Sequence, residues 1–534
     1  MKKISFVIVL LQISVQFVMA QTINIPADYA SIQYGVDAAS PGDTVLVAEG
    51  TYYENVDFKE KNIVLASHFI LDRDTSFIRK TIIDGSQAGD TDRGAVVTMA
   101  GITDTIAVLT GFSITKGKGN IGQIMLGESI DIHTGGGICG SGGKVENNHV
   151  FDNHIYDVEE RLVLGGGISL VPEIASGSKK IVIRNNKVYN NSITGNSKTQ
   201  GGGICTGSDG GYTLVEGNEI YENTSHCLIS WKTNGGGLML GISSPFECNL
   251  IVRNNRIEKN QIRGELGQGG GIFITIPPNP NEYQDIRPGI EIHNNIIAYN
   301  ISCDAAGGLA FWDQMQYNWQ NPSLFICNNT IYRNRANRAS GIYNHRGKLL
   351  LMNNIIHNDL LGKTEELRAN TIYPSYPNVA AKMICKQNII HDTILVDNFP
   401  DAPIFDDEIS YKLSNNSPGL KSAREYYPEN NVMYYAPVTD MYGVDRPTGG
   451  FDIGAVQTSA SGTPWIAWNK SPLEKSNGKV GEAYLDSITL SDIYNPGSIS
   501  IDFEKQSGPE WMMVSSDGTI SGTPEASNLG DRKS

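Results

Sequence analysis

Short alternating runs of apolar and polar residues recur through the middle of the chain, among them Ile181-Val182-Ile183-Arg184, Leu250-Ile251-Val252-Arg253 and Ile290-Glu291-Ile292-His293. Their period of two and their β-branched content predict short strands. Such runs lead into blocks of the form apolar-x-Asn-Asn-x-apolar, at Asn147-Asn148, Asn185-Asn186, Asn254-Asn255, Asn294-Asn295, Asn328-Asn329 and Asn353-Asn354. Reduced forms occur at Asn218 and Asn388, and a further Asn often follows, as at Asn153, Asn190, Asn223, Asn260, Asn300, Asn334 and Asn358. Gly-rich blocks begin at Gly135, Gly165, Gly201, Gly235 and Gly269 and degenerate to Ala306-Gly307-Gly308 and Ala339-Ser340-Gly341, at intervals of 30, 36, 34, 34, 37 and 33 residues.

A period near 34 also suits helical solenoids. Three consecutive glycines per repeat would cost a helix roughly 3 kcal/mol, which removes that alternative. Asn is the residue after Gly that best tolerates the left-handed backbone, so an Asn at a fixed place marks a sharp turn between strands. Strand, Asn turn, strand and Gly-rich strand describe one coil of a parallel β-helix. Stacked coils bury one another's inner faces, and their Asn side chains can hydrogen-bond up the stack. The Asn pairs are therefore read as structural.

Upstream, Ile32, Val36 and Ala39 fall on one helix face, suited to closing the open end of the core, and Pro41-Gly42-Asp43 turns the chain into a strand. Before this, Lys2, Lys3 and the largely apolar Ile4 to Val18, ending in Ala20, read as a signal peptide over 1–20. The expectation is an exported protein, secreted or held at the cell surface, with no membrane span after cleavage.

Composition narrows the partners. The 534 residues carry a formal charge of -15, which argues against nucleic acid and anionic lipid. Hydrophobic content of 40% is ample for a core. Seven Cys is an odd number, and Cys139 and Cys205 follow equivalent Gly-Gly-Gly-Ile blocks, so stacked small side chains are expected there rather than a bridge.

The repeats, together with Ile25-Pro26-Ala27-Asp28-Tyr29, Gly50-Thr51-Tyr52-Tyr53-Glu54-Asn55, Thr81-Ile82-Ile83-Asp84-Gly85 and Gly111-Phe112-Ser113-Ile114-Thr115, resemble secreted bacterial right-handed parallel β-helix proteins of the pectin-lyase-like superfamily. Asn416-Ser417-Pro418-Gly419 and Asp452-Ile453-Gly454-Ala455 are similar to the closing segment of those proteins. The resemblance covers about residues 22–457 and implies an all-β, right-handed parallel β-helix with an N-terminal capping helix. Residues 458–464 read as a linker. Over 465–534, Gly508-Pro509-Glu510-Trp511 and Asp517-Gly518-Thr519-Ile520-Ser521-Gly522-Thr523-Pro524 resemble a cadherin-like, immunoglobulin-like β-sandwich, here a partial one, with Trp511 expected in its core and a hairpin turn at Asp517-Gly518.

Fold does not give activity, and the resembled superfamily holds lyases, hydrolases, esterases and non-catalytic adhesins. No Asn-Thr-Asp or Gly-His-Gly motif of its hydrolases is present. A uronate lyase needs a cation to neutralise the carboxylate and a base to take the adjacent proton. The densest candidate is Arg333, Arg335, Arg338, His345, Arg346 and Lys348, of which Arg335, Arg338, His345 and Arg346 would be catalytic. Just upstream, 311–319 reads as an inserted loop whose Trp312, Tyr317 and Trp319 offer a platform for sugar rings, while Asp304 and Asp313 could help to hold calcium. No other cofactor is indicated. His133, His149 and His154, near Asp131, Asp152 and Asp157, are weighed as metal ligands against ordinary coil positions, and 119–133 as one wall of a cleft. The leading expectation is a monomeric protein that binds a polysaccharide or cell-surface glycan without chemistry. The alternative is a polysaccharide lyase cleaving an acidic glycan by β-elimination.

Overall fold

The structure is a computed structural model. It describes residues 20–526, except 88, 91, 126–128, 173–178, 230–231, 243–248, 277–288, 314–320, 346, 359–366, 370–381, 387, 391–397, 399–401, 416, 449, 460–466, 469–474, 490–491, 495–500 and 506–508. Residues 1–19 of the segment read as a signal peptide over 1–20, and most of the segment read as a linker, therefore lie outside the described residues.

Strands stack coil upon coil into three long parallel sheets, forming a right-handed β-solenoid. A first sheet of 12 strands runs from Thr22–Ile25 to Lys382–Lys386, a second of 11 from Gly50–Tyr52 to Ile389–Ile390, and a third of 10 from Val56–Asp57 to Leu367–Ala369. Between the second and third sheets, successive coils make an excursion. Its outgoing strands, His154–Asp157 to Gln261–Arg263, form a fourth sheet. Its returning strands, with the antiparallel pair Gly119–Met125 and Ser129–Thr134, belong to a fifth of seven strands. This lateral shelf was not legible in the repeat pattern, because its strands are short and mostly polar.

The turns repay the Asn pattern. The first Asn of a pair takes the left-handed backbone, with φ of 57° at Asn147, 54° at Asn185 and 57° at Asn254. Gly217 fills the same place with φ 65°. The second Asn is buried and forms a ladder: the side-chain amide of Asn148 donates to Asn186 Oδ1, and so on through Asn218, Asn255, Asn295, Asn329, Asn354 and Asn388, at 2.9–3.2 Å. A parallel ladder runs through Asn153, Asn191, Asn223, Asn260, Asn300, Asn334 and Asn358 at 2.9–3.0 Å. One rung departs from expectation: Asn190 is the left-handed residue, and its neighbour Asn191 carries the ladder.

The Gly blocks serve two needs. Gly201 has φ 75°, whereas Gly202 sits so close to the next coil that a Cβ would lie 2.6 Å from Gly236 O. Inside, Ile, Val and Leu from the three sheets form one core, closed at the N-terminus by Ile32, Val36 and Ala39 of helix Ile32–Ala38, which Ser31 caps. Outside, Cys139, Ser169 and Cys205 stack in one row, as the equivalent Gly blocks predict, and the larger Met239 and Phe273 continue it; among the described residues six Cys form no disulfide.

Residues 404–457 fold back as a strap along the corner between the first and second sheets. Leu413, Leu420, Phe451 and Ile453 pack on Ile355, while Tyr434 packs near Phe325 and Cys327. The two closing motifs meet, Ile453 N donating to Gly419 O at 3.0 Å. The strap bonds the first Asn of several pairs: Asn294 donates to Thr439 O, Asn328 to Gly454 O and Asn353 to Arg424 O. Glu408 of the strap bonds Arg333 and the Tyr299 hydroxyl.

His293 lies under this strap, and burial beside Arg253 and Arg446 pushes its pKa down to about 4. Between the ordinary value near 6.5 and pH 4 the unfolded chain therefore binds more protons than the folded one, so acidification removes stability over that window, by up to roughly 3 kcal/mol. Urea unfolding at pH 7 and pH 5 checks this. The wild type should lose midpoint on acidification and His293→Gln should lose less; equal losses would contradict the assignment.

At the C-terminus, Tyr484–Ser487, Thr519–Gly522 and Met512–Val514 make a three-stranded antiparallel sheet. Trp511 meets Tyr484 edge to face at 5.9 Å, and Asp517-Gly518 makes the hairpin turn as expected.

Candidate functional site

The outer face of the third sheet, beside the shelf, carries concave surface at its N-terminal end and a cluster of aromatic and basic side chains at its C-terminal end. Its C-terminal end is where the sequence concentrates charge and aromatics. Trp312, at the end region of strand Leu309–Asp313, meets His345 at 4.9 Å between ring centres. His345 Nδ1 is 3.3 Å from the Tyr343 hydroxyl, and the Arg338 guanidinium lies 5.3 Å over the Tyr343 ring. Asp304 holds Arg338 through both carboxylate oxygens. Arg338, Tyr343, His345 and Trp312 thus form one connected cluster.

The rest of the expected basic cluster is dispersed. Arg333 pairs with Glu408 at the strap and lies 5.3 Å from the Tyr332 ring, and Lys348 pairs with Glu429 at 2.7 Å. Arg335 is exposed on the fourth-sheet side, bridging Ile301 through its backbone. Arg346, Tyr317 and Trp319 lie outside the described residues. Asp313 ends the strand Leu309–Asp313, whose five residues span about 13 Å, while Asp304 lies before that strand and is engaged by Arg338. Among the described residues no group of three His, Cys, Asp or Glu side chains converges on a metal position.

The N-terminal end of the face is concave. A cleft of about 860 Å³ is bounded by Tyr53, Glu54 and Asp57, by Asp90 and Asp92, and by Asn120 and Ile121 of the hairpin. A second cavity of about 210 Å³ continues from Asn120 and Ile121 beneath the hairpin to Cys139 and Ser169 on the third sheet. The hairpin at 119–134 is thus a cleft wall, as its sequence position suggests. His133 pins it: Nδ1 is 2.8 Å from Asp157 Oδ2, and Nε2 is 2.8 Å from Lys118 O, a carbonyl that only accepts. Arg161 reaches the same Asp157 oxygen at 3.2 Å. His133 is therefore a structural tie, and His154 Nδ1 contacts Ser192 Oγ. His149 stands on the outer row of the second sheet, where burial beside Lys187 and Arg79 pushes its pKa down to about 4. Nothing in the sequence singled out Asp57, Glu60, Asp90 and Asp92, which are scattered over two turns and share no motif.

Two Asn ladders and a stack of three-sheeted coils decide the likeness. Residues 173–282 match the family model described as right handed beta helix region. The match covers the central coils, so the chain is similar there to right-handed β-helix proteins, in agreement with the sheets on either side. No curated protein and no solved structure matches the chain. Among the described residues no helix is long and apolar enough to cross a membrane.

Proposed function

We propose that this β-helix protein is exported and binds a polysaccharide or cell-surface glycan along the outer face of the third sheet, without chemistry, with the C-terminal immunoglobulin-like piece as a spacer. The observation that carries the reading is the outer face itself, with the cleft walled by the hairpin at one end and the part-exposed Trp312 and His345 rings, seated on the buried Tyr343, at the other. Aromatic faces pack well against the apolar faces of sugar rings, and polar rims supply orientation.

A second reading, β-elimination on an acidic glycan, is favoured by one feature: a hydroxyl, an imidazole and a guanidinium adjoin at Tyr343, His345 and Arg338. The charge distribution favours the binder. Arg338, Arg333 and Lys348 each already face a carboxylate, and a paired cation is a poor neutraliser of a uronate. In the lyase reading calcium would have to supply that charge.

Both readings are tested by incubating folded protein, with calcium, against pectic, alginate, ulvan and glycosaminoglycan polymers while following ultraviolet absorbance, alongside a glycan array. Binding without an absorbance rise is expected, weakened in Trp312→Ala. A rise from unsaturated uronate would establish the lyase and make Arg335, Arg338, His345 and Arg346 the first substitutions to try.

A further inference from the structure

The cleft at the N-terminal end is unbalanced in charge, unlike the aromatic end, where Arg338 is paired with Asp304. Five carboxylates line it, on Glu54, Asp57, Glu60, Asp90 and Asp92, against two cations, Lys59 and Arg93. Both cations lean on the same group: Lys59 Nζ is 3.4 Å and Arg93 Nη1 3.8 Å from Asp57 Oδ2. Glu54 is also engaged, accepting from Ile32 N and Gln33 N at the start of the capping helix, both at 2.9 Å. Glu60, Asp90 and Asp92 are left with no ion pair among the described residues, the only bond they share being Asp92 N to Asp90 Oδ1. Glu60 is held in place by its stem, which rests on Gly101 so closely that a Cβ there would come within 2.5 Å of Glu60 Cγ. Tyr53, 54% exposed, stands on the rim.

A walled cleft with unbalanced charge of one sign concentrates ligands of the other sign and repels its own. An exposed tyrosine ring beside carboxylates adds an attractive surface for an ammonium group. We infer that this cleft selects an amine-bearing glycan, one with free amino sugars, rather than a uronate polymer. The inference rests on the preceding reading that the third-sheet face holds a glycan, and it names the class. The sugar rings lie along the cleft, and their ammonium groups face Glu60, Asp90 and Asp92. The aromatic end, whose guanidinium and imidazole side chains sit over rings, receives the neutral remainder of the chain.

The test is calorimetric titration of the full protein, in mildly acidic buffer, with short glucosamine oligomers and with their N-acetylated counterparts of equal length. Binding of the amine form at least about tenfold tighter, and weakening as salt is raised, is expected. The triple variant Glu60→Gln, Asp90→Asn, Asp92→Asn should lose that preference and that salt dependence. Its unfolding midpoint should hold, since these side chains have no internal ion pair to lose. Equal binding of amine and N-acetyl forms would overturn the charge inference while leaving the glycan face standing. A lysine oligomer binding as tightly as the sugar would overturn the glycan class. Failure of every oligomer and of every polymer on the array would sink the underlying reading as well.

Discussion

Replacing Asn255 with alanine is expected to lower stability by about 3–5 kcal/mol, because a buried rung leaves several groups without partners at once. Asn255 is fully buried. Its Oδ1 accepts from both the backbone N and the side-chain amide of Asn218, each at 2.9 Å, and its own amide donates to Val215 O, Arg253 O and Asn295 Oδ1. Alanine removes all of these and orphans the Asn218 N–H in a place water does not reach. The adjacent Asn254 provides the contrast. Its role is a left-handed backbone, φ 57°, which Gly217 meets in the neighbouring coil. Asn254→Gly should therefore stay within about 1 kcal/mol of wild type. Urea unfolding of both variants, with limited proteolysis to locate the opened coil, checks the pair. Similar losses at the two positions would mean that turn conformation, not the ladder, holds the coils together.

The second large effect is expected at Arg446. This guanidinium is buried, and desolvation lowers its pKa to about 10. It donates to Asp452 O at 3.0 Å, Gly454 O at 2.9 Å and Asn294 Oδ1 at 3.1 Å, tying both ends of the last strap loop to the solenoid. Arg446→Ala leaves those acceptors unmet and should cost about 2–4 kcal/mol of strap docking. The consequence is local. Cys327, fully buried beside Tyr434 of the strap, should become reactive toward a thiol reagent, as read by mass mapping of the labelled peptide. The coils before Asn218, to which no strap hydrogen bond runs among the described residues, should keep their protection. Unchanged Cys327 labelling would show that the apolar contacts of Phe451 and Ile453 suffice.

What was legible depended on whether a residue's role repeats. The ladder Asn, the left-handed Asn and the Gly blocks recur once per coil, so their spacing announced sheets, turns and stacking before any coordinates. The capping helix was equally readable, since Ile32, Val36 and Ala39 occupy one face. Roles that occur once left no such trace. The spacing pointed to Asn190, and only the stack assigned the rung to its neighbour Asn191. Arg333, Arg335, Arg338 and Lys348 are near neighbours in sequence but stand on four different parts of the coil, because one turn of a solenoid sends consecutive residues around its whole circumference. Closeness along the chain was therefore a poor guide to the site. Residues one coil apart are the true neighbours, as with Trp312 and His345.

The ladders also make the coil a unit of inheritance. Each rung needs only an asparagine above and another below, so a coil lifted out or duplicated whole would leave two matching faces to rejoin. The outer face would then shorten or lengthen in steps of about 4.8 Å, the spacing of hydrogen-bonded strands. Reach along a linear partner is thus quantised, and a lineage could tune it by unequal exchange between repeats without redesigning a single contact.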